Sequence, residues 1–164
     1  MQIKIASSED ISTIQDIAYK TWPDAYKNIL SHEQLSYMLN MFYHKDVLQK
    51  QFEDNSFSFI ISLTNNTSAG FAAYSLISSD GHYKLHKLYI LPESQSKGIG
   101  KFMLDFILSD LKNKNAKRLT LNVNRNNKAI TFYLSRNFKI IKEEDNDIGN
   151  GYFMNDYVME KLIG

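Results

Sequence analysis

The chain has no cysteine. Disulfides, thiolate nucleophiles, zinc–thiolate sites and iron–sulfur clusters are therefore excluded together, and any sulfur chemistry must arrive with a bound molecule. Proline (2) and glycine (7) are scarce among 164 residues, whereas phenylalanine and tyrosine number ten each. Disordered and low-complexity chains have the opposite bias. No run reaches the roughly 20 apolar residues of a membrane span, and Met1-Gln2-Ile3-Lys4-Ile5 lacks the long apolar stretch of a secretory signal. The expectation is a cytoplasmic protein with no membrane partner. Length and a 43% hydrophobic content fit one domain over residues 1–164 with a substantial core.

Excess charge of one sign is also missing, since 19 basic and 18 acidic residues leave +1. The distribution is uneven. Residues 84–142 hold thirteen basic and three acidic side chains, a net of +10, while the rest of the chain holds six basic and fifteen acidic, a net of −9. A basic middle suits an anionic ligand and acidic flanks suit a cationic one. The basic residues are spread over several elements with no arginine-rich run and no nucleic-acid motif, which speaks against nucleic acid as a partner.

Hydrophobic periodicity predicts the order βααα-βββ-α-β-α-ββ. Gln2 to Ala6 reads as a strand, and Ser7 with Asp10 three residues on is a helix start. The first helix is expected to stop near Trp22-Pro23, because the residue before proline is pushed out of helical geometry. Ser31 and Gln34 repeat the capping spacing before a second helix, and a short third one runs through Val47 and Leu48. Ser56–Leu63, Ala69–Ile77 and Tyr83–Leu91 read as a meander turning at Asn65-Asn66 and Asp80-Gly81. A helix from Lys101 to about Asn113 leads to a strand Arg118–Val123, the simplest arrangement being a parallel pair joined by a right-handed crossover. A helix over Asn126–Arg136 and two closing strands around Asp147–Gly151 complete one mixed α/β sheet flanked by helices.

The loop Glu93 to Gly100 feeds directly into the crossover helix. Amides at a helix start lack intrahelical partners and face the positive end of the dipole, so such a loop is an anion site. It is not a Rossmann fingerprint, which needs glycine at Met103, nor a P-loop, which needs glycine at Gln95 and Ser or Thr at Phe102. Gln95-Ser96-Lys97-Gly98-Ile99-Gly100 instead resembles the Gln/Arg-x-x-Gly-x-Gly/Ala signature of the GNAT (GCN5-related N-acetyltransferase) superfamily. Asn126-Asn127-Lys128-Ala129-Ile130-Thr131-Phe132-Tyr133, with Asn137-Phe138 beyond, is similar to the family's Asn-x-x-Ala-x-x-x-Tyr-x-x-x-Gly-Phe segment. Asn137 departs from the family's glycine at a position expected to need positive φ, where asparagine is the next most tolerant residue. Resemblance is good over residues 70–162 and rests on element order alone in the N-terminal third.

The resemblance implies a GNAT fold, a mostly antiparallel sheet with a central splayed parallel pair. It implies acetyl-coenzyme A as cosubstrate, no metal, and acetyl transfer to a primary amine in a ternary complex. The pyrophosphate would lie on the amides of Gln95, Ser96, Lys97, Gly98, Ile99, Gly100 and Lys101. Leu88, Tyr89 and Ile90 would offer main-chain groups to the pantetheine arm. Asn126 and Ala129 would contact the cofactor from the same helical face as Tyr133, whose hydroxyl would protonate the leaving thiolate. His86 is the candidate base, on the side of Leu88 by strand alternation unless a bulge intervenes. Trp22 and Tyr26, with Tyr89, are candidate acceptor contacts. The Trp22–Tyr26 segment and the ending Asp156-Tyr157-Val158-Met159 are similar to the bacterial spermidine/spermine branch, and acidic flanks are compatible with a polycation. A peptide or protein amino group, or an acyl-CoA sensor without turnover, are the alternatives; a homodimer is compatible with all of them.

Overall fold

The computed structural model describes all of residues 1–164. A short strand β1 (Gln2–Ile5) leads through a single 3-10 turn into α1 (Ile11–Ala25), followed by α2 (His32–Tyr43) and α3 (Lys45–Glu53). The meander is β2 (Phe57–Thr64), β3 (Thr67–Ser78) and β4 (His82–Ile90). Then come α4 (Ile99–Asn113), β5 (Arg118–Asn124), α5 (Ala129–Ser135), β6 (Lys139–Gly149) and β7 (Tyr152–Leu162). The strands form one seven-stranded sheet in the order β1-β2-β3-β4-β5-β7-β6, antiparallel throughout except for β4 and β5.

Local signals act as their chemistry requires. Ser7 and Asp10 make a reciprocal capping box, and Ser31 Oγ accepts from Gln34 N–H at 3.1 Å. Gln34 does not complete that second box, because its amide reaches Phe153 O at 3.0 Å instead. Asn65 and Asn66 both adopt positive φ, 50° and 60°, the geometry of a two-residue hairpin. Asn137 has φ 67°.

Two expected helix limits are corrected. α1 continues through Pro23 to Ala25. Thr21 Oγ1 donates to the Ile17 carbonyl at 2.8 Å, and Trp22, buried against Tyr26, Phe42, Tyr43 and Tyr89, pins the last turn. Packing thus overrides the local bias of proline. α5 begins at Ala129 and not at Asn126, because Asn124 Oδ1 accepts from Asn126 N–H and Asn127 Oδ1 from Ala129 N–H, both at 2.9 Å. These side-chain turns occupy the residues that would have been the first helical turn.

The sheet separates two cores. α4 and α5 cover one face over Ile60, Ala72, Tyr74, Leu85, Leu119 and Leu121. α1, α2 and α3 cover the other over Phe59, Ile61, Phe71 and Ala73. β4 and β5 pair only from His82–Arg118 to Leu85–Leu121 and then diverge, opening the sheet at its centre.

Candidate active site

The opening between β4 and β5 is walled by main chain. Leu91 N–H donates to Ala69 O on the β3 side at 2.8 Å. Amides alternate sides along a strand, so those of Leu88 and Ile90 point away from β3 into the splay. At its end the loop before α4 turns through two left-handed residues, Ser96 (φ 61°) and Gly98 (φ 78°). The first helical bond runs from Phe102 N–H to Gly98 O, leaving the amides of Ser96 to Lys101 ahead of it. Consecutive amides in such a turn form an anion-binding concavity at a helix N-terminus. Gln95 Nε2 donates to Ile90 O at 3.1 Å, tying loop to strand. Lys97 Nζ is turned back onto Glu93 O at 2.8 Å. The Gly98 Cα faces open space on the side where a Cβ would project.

A cavity of about 410 Å³ runs along this opening, lined by β4 residues Leu85 to Ile90, by Gln95, Ser96, Gly98, Ile99, Gly100 and Lys101, and by Ala129, Phe132 and Tyr133 of α5. Tyr133 is buried, and burial first, then the neighbouring Tyr26 phenol, raises its pKa, so it keeps its proton at neutral pH. Asn126 is exposed and outside both the helix and the cavity wall, contrary to its expected place on one helical face with Ala129 and Tyr133; Asn127 lines the wall instead.

His86 is likewise corrected. The β3–β4 register slips between Ala73–Lys87 and Tyr74–Leu85, so His86 is the extra residue of a bulge. Its ring lies on Phe57 (centroids 4.9 Å apart) and its Nε2 is 2.6 Å from Ser75 Oγ. Phe57 packs with the α1–α3 core and Leu88 with the α4–α5 core, so the imidazole is on the face opposite Leu88. Burial, then Lys84 and Lys87, pushes its pKa down to about 4, leaving a neutral ring engaged with Ser75.

A second cavity of about 430 Å³ opens on the α1–α3 face and shares Tyr26, Leu85, His86, Lys87, Tyr89 and Asn122 with the first. Trp22 lines it, and Tyr26 and Tyr89 join hydroxyls at 3.1 Å on the common wall. Part of its lining is acidic. Asn122 Nδ2 donates to Glu144 Oε2 at 3.1 Å and to Asp156 Oδ2 at 3.4 Å. Burial raises the Asp156 carboxyl, whereas hydrogen bonds from Lys142, Asn146 and Asn122 hold Glu144 down at about 2. Tyr37 Oη donates to Ile148 O at 2.7 Å, fastening the β6–β7 hairpin to α2 beside this cavity. Lys87, Asn122, Glu144 and Asp156 were not singled out as site residues from the sequence. The Asp156–Met159 segment was the one signal, and it did not say which residue faces inward.

Residues 26–161 match the family model described as an acetyltransferase (GNAT) domain. The chain belongs to the GNAT acetyltransferase family. It is an acetyl-CoA-dependent N-acetyltransferase with the mixed, splayed sheet of that family. It is 28% identical over 166 residues to a spermidine N(1)-acetyltransferase of Thermoplasma acidophilum, covering 98% of this chain and 96% of the relative. The crystal structure of the PaiA N-acetyltransferase of Thermoplasma acidophilum in complex with coenzyme A superposes with TM-score 0.83 at 28% identity over 99% of both chains. The ribosomal-protein-S18-alanine N-acetyltransferase of Escherichia coli shares the fold at TM-score 0.76 and 16% identity, over 99% of this chain and 93% of that one. No helix is long and apolar enough to cross a membrane.

Proposed function

We propose that this GNAT enzyme transfers the acetyl group directly from acetyl-CoA to a primary amine, with the donor along the β4–β5 splay and the acceptor entering from the α1–α3 face. The observation that carries this reading is the meeting of the two cavities at the splay, with inward Leu88 and Ile90 amides and the Tyr133 phenol on the donor side. The loop of residues 95–101 would hold the pyrophosphate and Ala129 would leave room for the arm. An amide of β4 would polarise the thioester carbonyl as charge develops on its oxygen. The amine nitrogen attacks the carbonyl carbon, a C–N bond forms, the C–S bond breaks, the thiolate takes the Tyr133 proton, and the Tyr133 phenolate regains a proton from solvent. The proton lost by the amine leaves through solvent, since the imidazole of His86 is turned to Ser75. No acetyl-enzyme is formed.

For the acceptor, the relative named a spermidine N(1)-acetyltransferase and the acidic Glu144–Asp156 part of the second cavity's lining support a polyamine as the first amine to test. Thiol release from acetyl-CoA against polyamines, amino acids, peptides and aminoglycosides tests the reading. Release with at least one amine class is expected. Stabilisation by acetyl-CoA with no release from any amine would make the chain a binder instead.

A further inference from the structure

Another part of the second cavity's lining has the opposite character. Lys87 reaches it from β4 and is 8% exposed, yet no carboxylate pairs with it. Its Nζ donates to Gln51 Oε1 at 3.1 Å and otherwise lies 4.7 Å over the Tyr43 ring. Burial lowers its pKa to about 8. Two more donors stand beside it. Trp22 Nε1 and Tyr43 Oη are both buried and both belong to residues lining this cavity; apart from the indole N–H turned toward the phenol oxygen, neither has a hydrogen-bond partner. The two rings meet edge to face with centroids 5.6 Å apart, and the Trp22 N–H is close enough to the Tyr43 phenol to act on it. An ammonium over the Tyr43 and Phe59 rings and a phenol O–H, with the indole N–H turned to that phenol, thus share one part of the cavity wall with a single amide oxygen as acceptor. Buried donors are nearly always satisfied, and a buried cation is normally paired. Asp156, 2% exposed, lines the same cavity; Lys84 and Arg125 act on its carboxylate from beyond ion-pair distance, and its one hydrogen-bond donor is the Asn122 amide. One cavity is therefore lined by a buried cation and a buried carboxylate, neither of them in an ion pair. A linear polyamine answers only the second.

We propose that the Lys87–Tyr43–Trp22 part of the lining is an anion subsite, and that the preferred acceptor is an amphoteric amine whose carboxylate it binds while the amine lies toward Asn122 and Asp156. This rests on the transferase reading above and puts an amphoteric amine ahead of the polyamine as its acceptor. A carboxylate supplies two oxygens, enough for the ammonium and at least one of the neutral donors, and such charge-assisted bonds are the strong ones.

The test is steady-state thiol release with ω-amino acids of increasing chain length, each beside the alkylamine and diamine of matched length, and with spermidine, for the wild-type enzyme, Lys87→Met and Lys87→Arg. One amino acid is expected to exceed its matched alkylamine in kcat/KM by roughly 10- to 100-fold. That ratio falls toward one in Lys87→Met and is partly kept in Lys87→Arg. Calorimetric binding of the same amino acid to the enzyme loaded with coenzyme A reads the subsite without turnover, and Lys87→Met should weaken it by a similar factor. Binding that depends on Lys87 without release from any amine would leave the subsite standing and remove the transferase reading. Diamines or spermidine surpassing every amino acid, or an amino-acid preference indifferent to Lys87, would overturn the proposal. Thermal unfolding of both variants guards against misfolding as the cause.

Discussion

On the face covered by α4 and α5, main-chain amides of β4 and of the loop before α4 turn to the splay, beside side chains such as Asn127 and the Tyr133 phenol. On the face covered by α1, α2 and α3 they are side chains from separate elements: Trp22 of α1, Tyr43 of α2, Lys87 of β4, Asn122 of β5 and Asp156 of β7. A wall of amides binds whatever fits its shape and tolerates most side-chain changes, because the binding groups are common to every residue. A wall of side chains is specific and each substitution alters it. That difference explains how one fold supports related proteins with different names for their acceptors, as function is set by the site and not by the fold.

Substitutions at four positions probe the contrast. The largest effect is expected from Tyr133→Phe, the one side chain on the donor face with a chemical role in the proposed mechanism. Turnover should fall roughly 10²- to 10⁴-fold with coenzyme A affinity nearly kept, as read by thiol release and calorimetry; unchanged turnover would remove the acid. Next, Gly98→Val should weaken coenzyme A binding roughly 10- to 100-fold, since a β-branched residue at φ 78° is strained by about 1–3 kcal/mol and its side chain would project where the anion is expected. Gly98→Asn, which tolerates that φ, should be milder. Equal losses for both would mean that crowding and not backbone shape governs the loop.

On the acceptor face Lys87→Met should stabilise the fold at pH 7 by on the order of 1–3 kcal/mol, read by denaturant unfolding. The sign follows from a folded-state pKa of about 8 against 10.5 for a free lysine. The burial cost is fully present below pH 8 and fades as pH rises to 10.5, so the advantage of methionine should fade over the same window. A gain that is flat with pH would show that the charge is not its source. The smallest effect is expected from His86→Gln, far less than the ~10²-fold of a lost base, because the ring is spent on Ser75 and Phe57.

Much of the donor side was legible before folding. The Gln95–Gly100 signature, the Tyr133 segment, the parallel pair and the αL position at Asn137 are set by residues close in sequence, where turn chemistry and helix starts are local matters. The errors came where local rules met tertiary packing. Proline bias lost to the buried Trp22 in α1, two asparagine turns displaced the start of α5 past Asn126, and a bulge reversed the facing of His86. A bulge carries no dependable sequence signal, since alternation is read on the assumption that the register is unbroken.

The sequence alone determined the element order, the family and the glycine-containing loop before α4, because each depends on spacing along the chain. Only the tertiary structure decided which side chains face the second cavity. Tyr43, Lys87, Asn122 and Asp156 come from four elements distant in sequence, and their common exposure to one cavity is a consequence of how the sheet splays and the helices cover it.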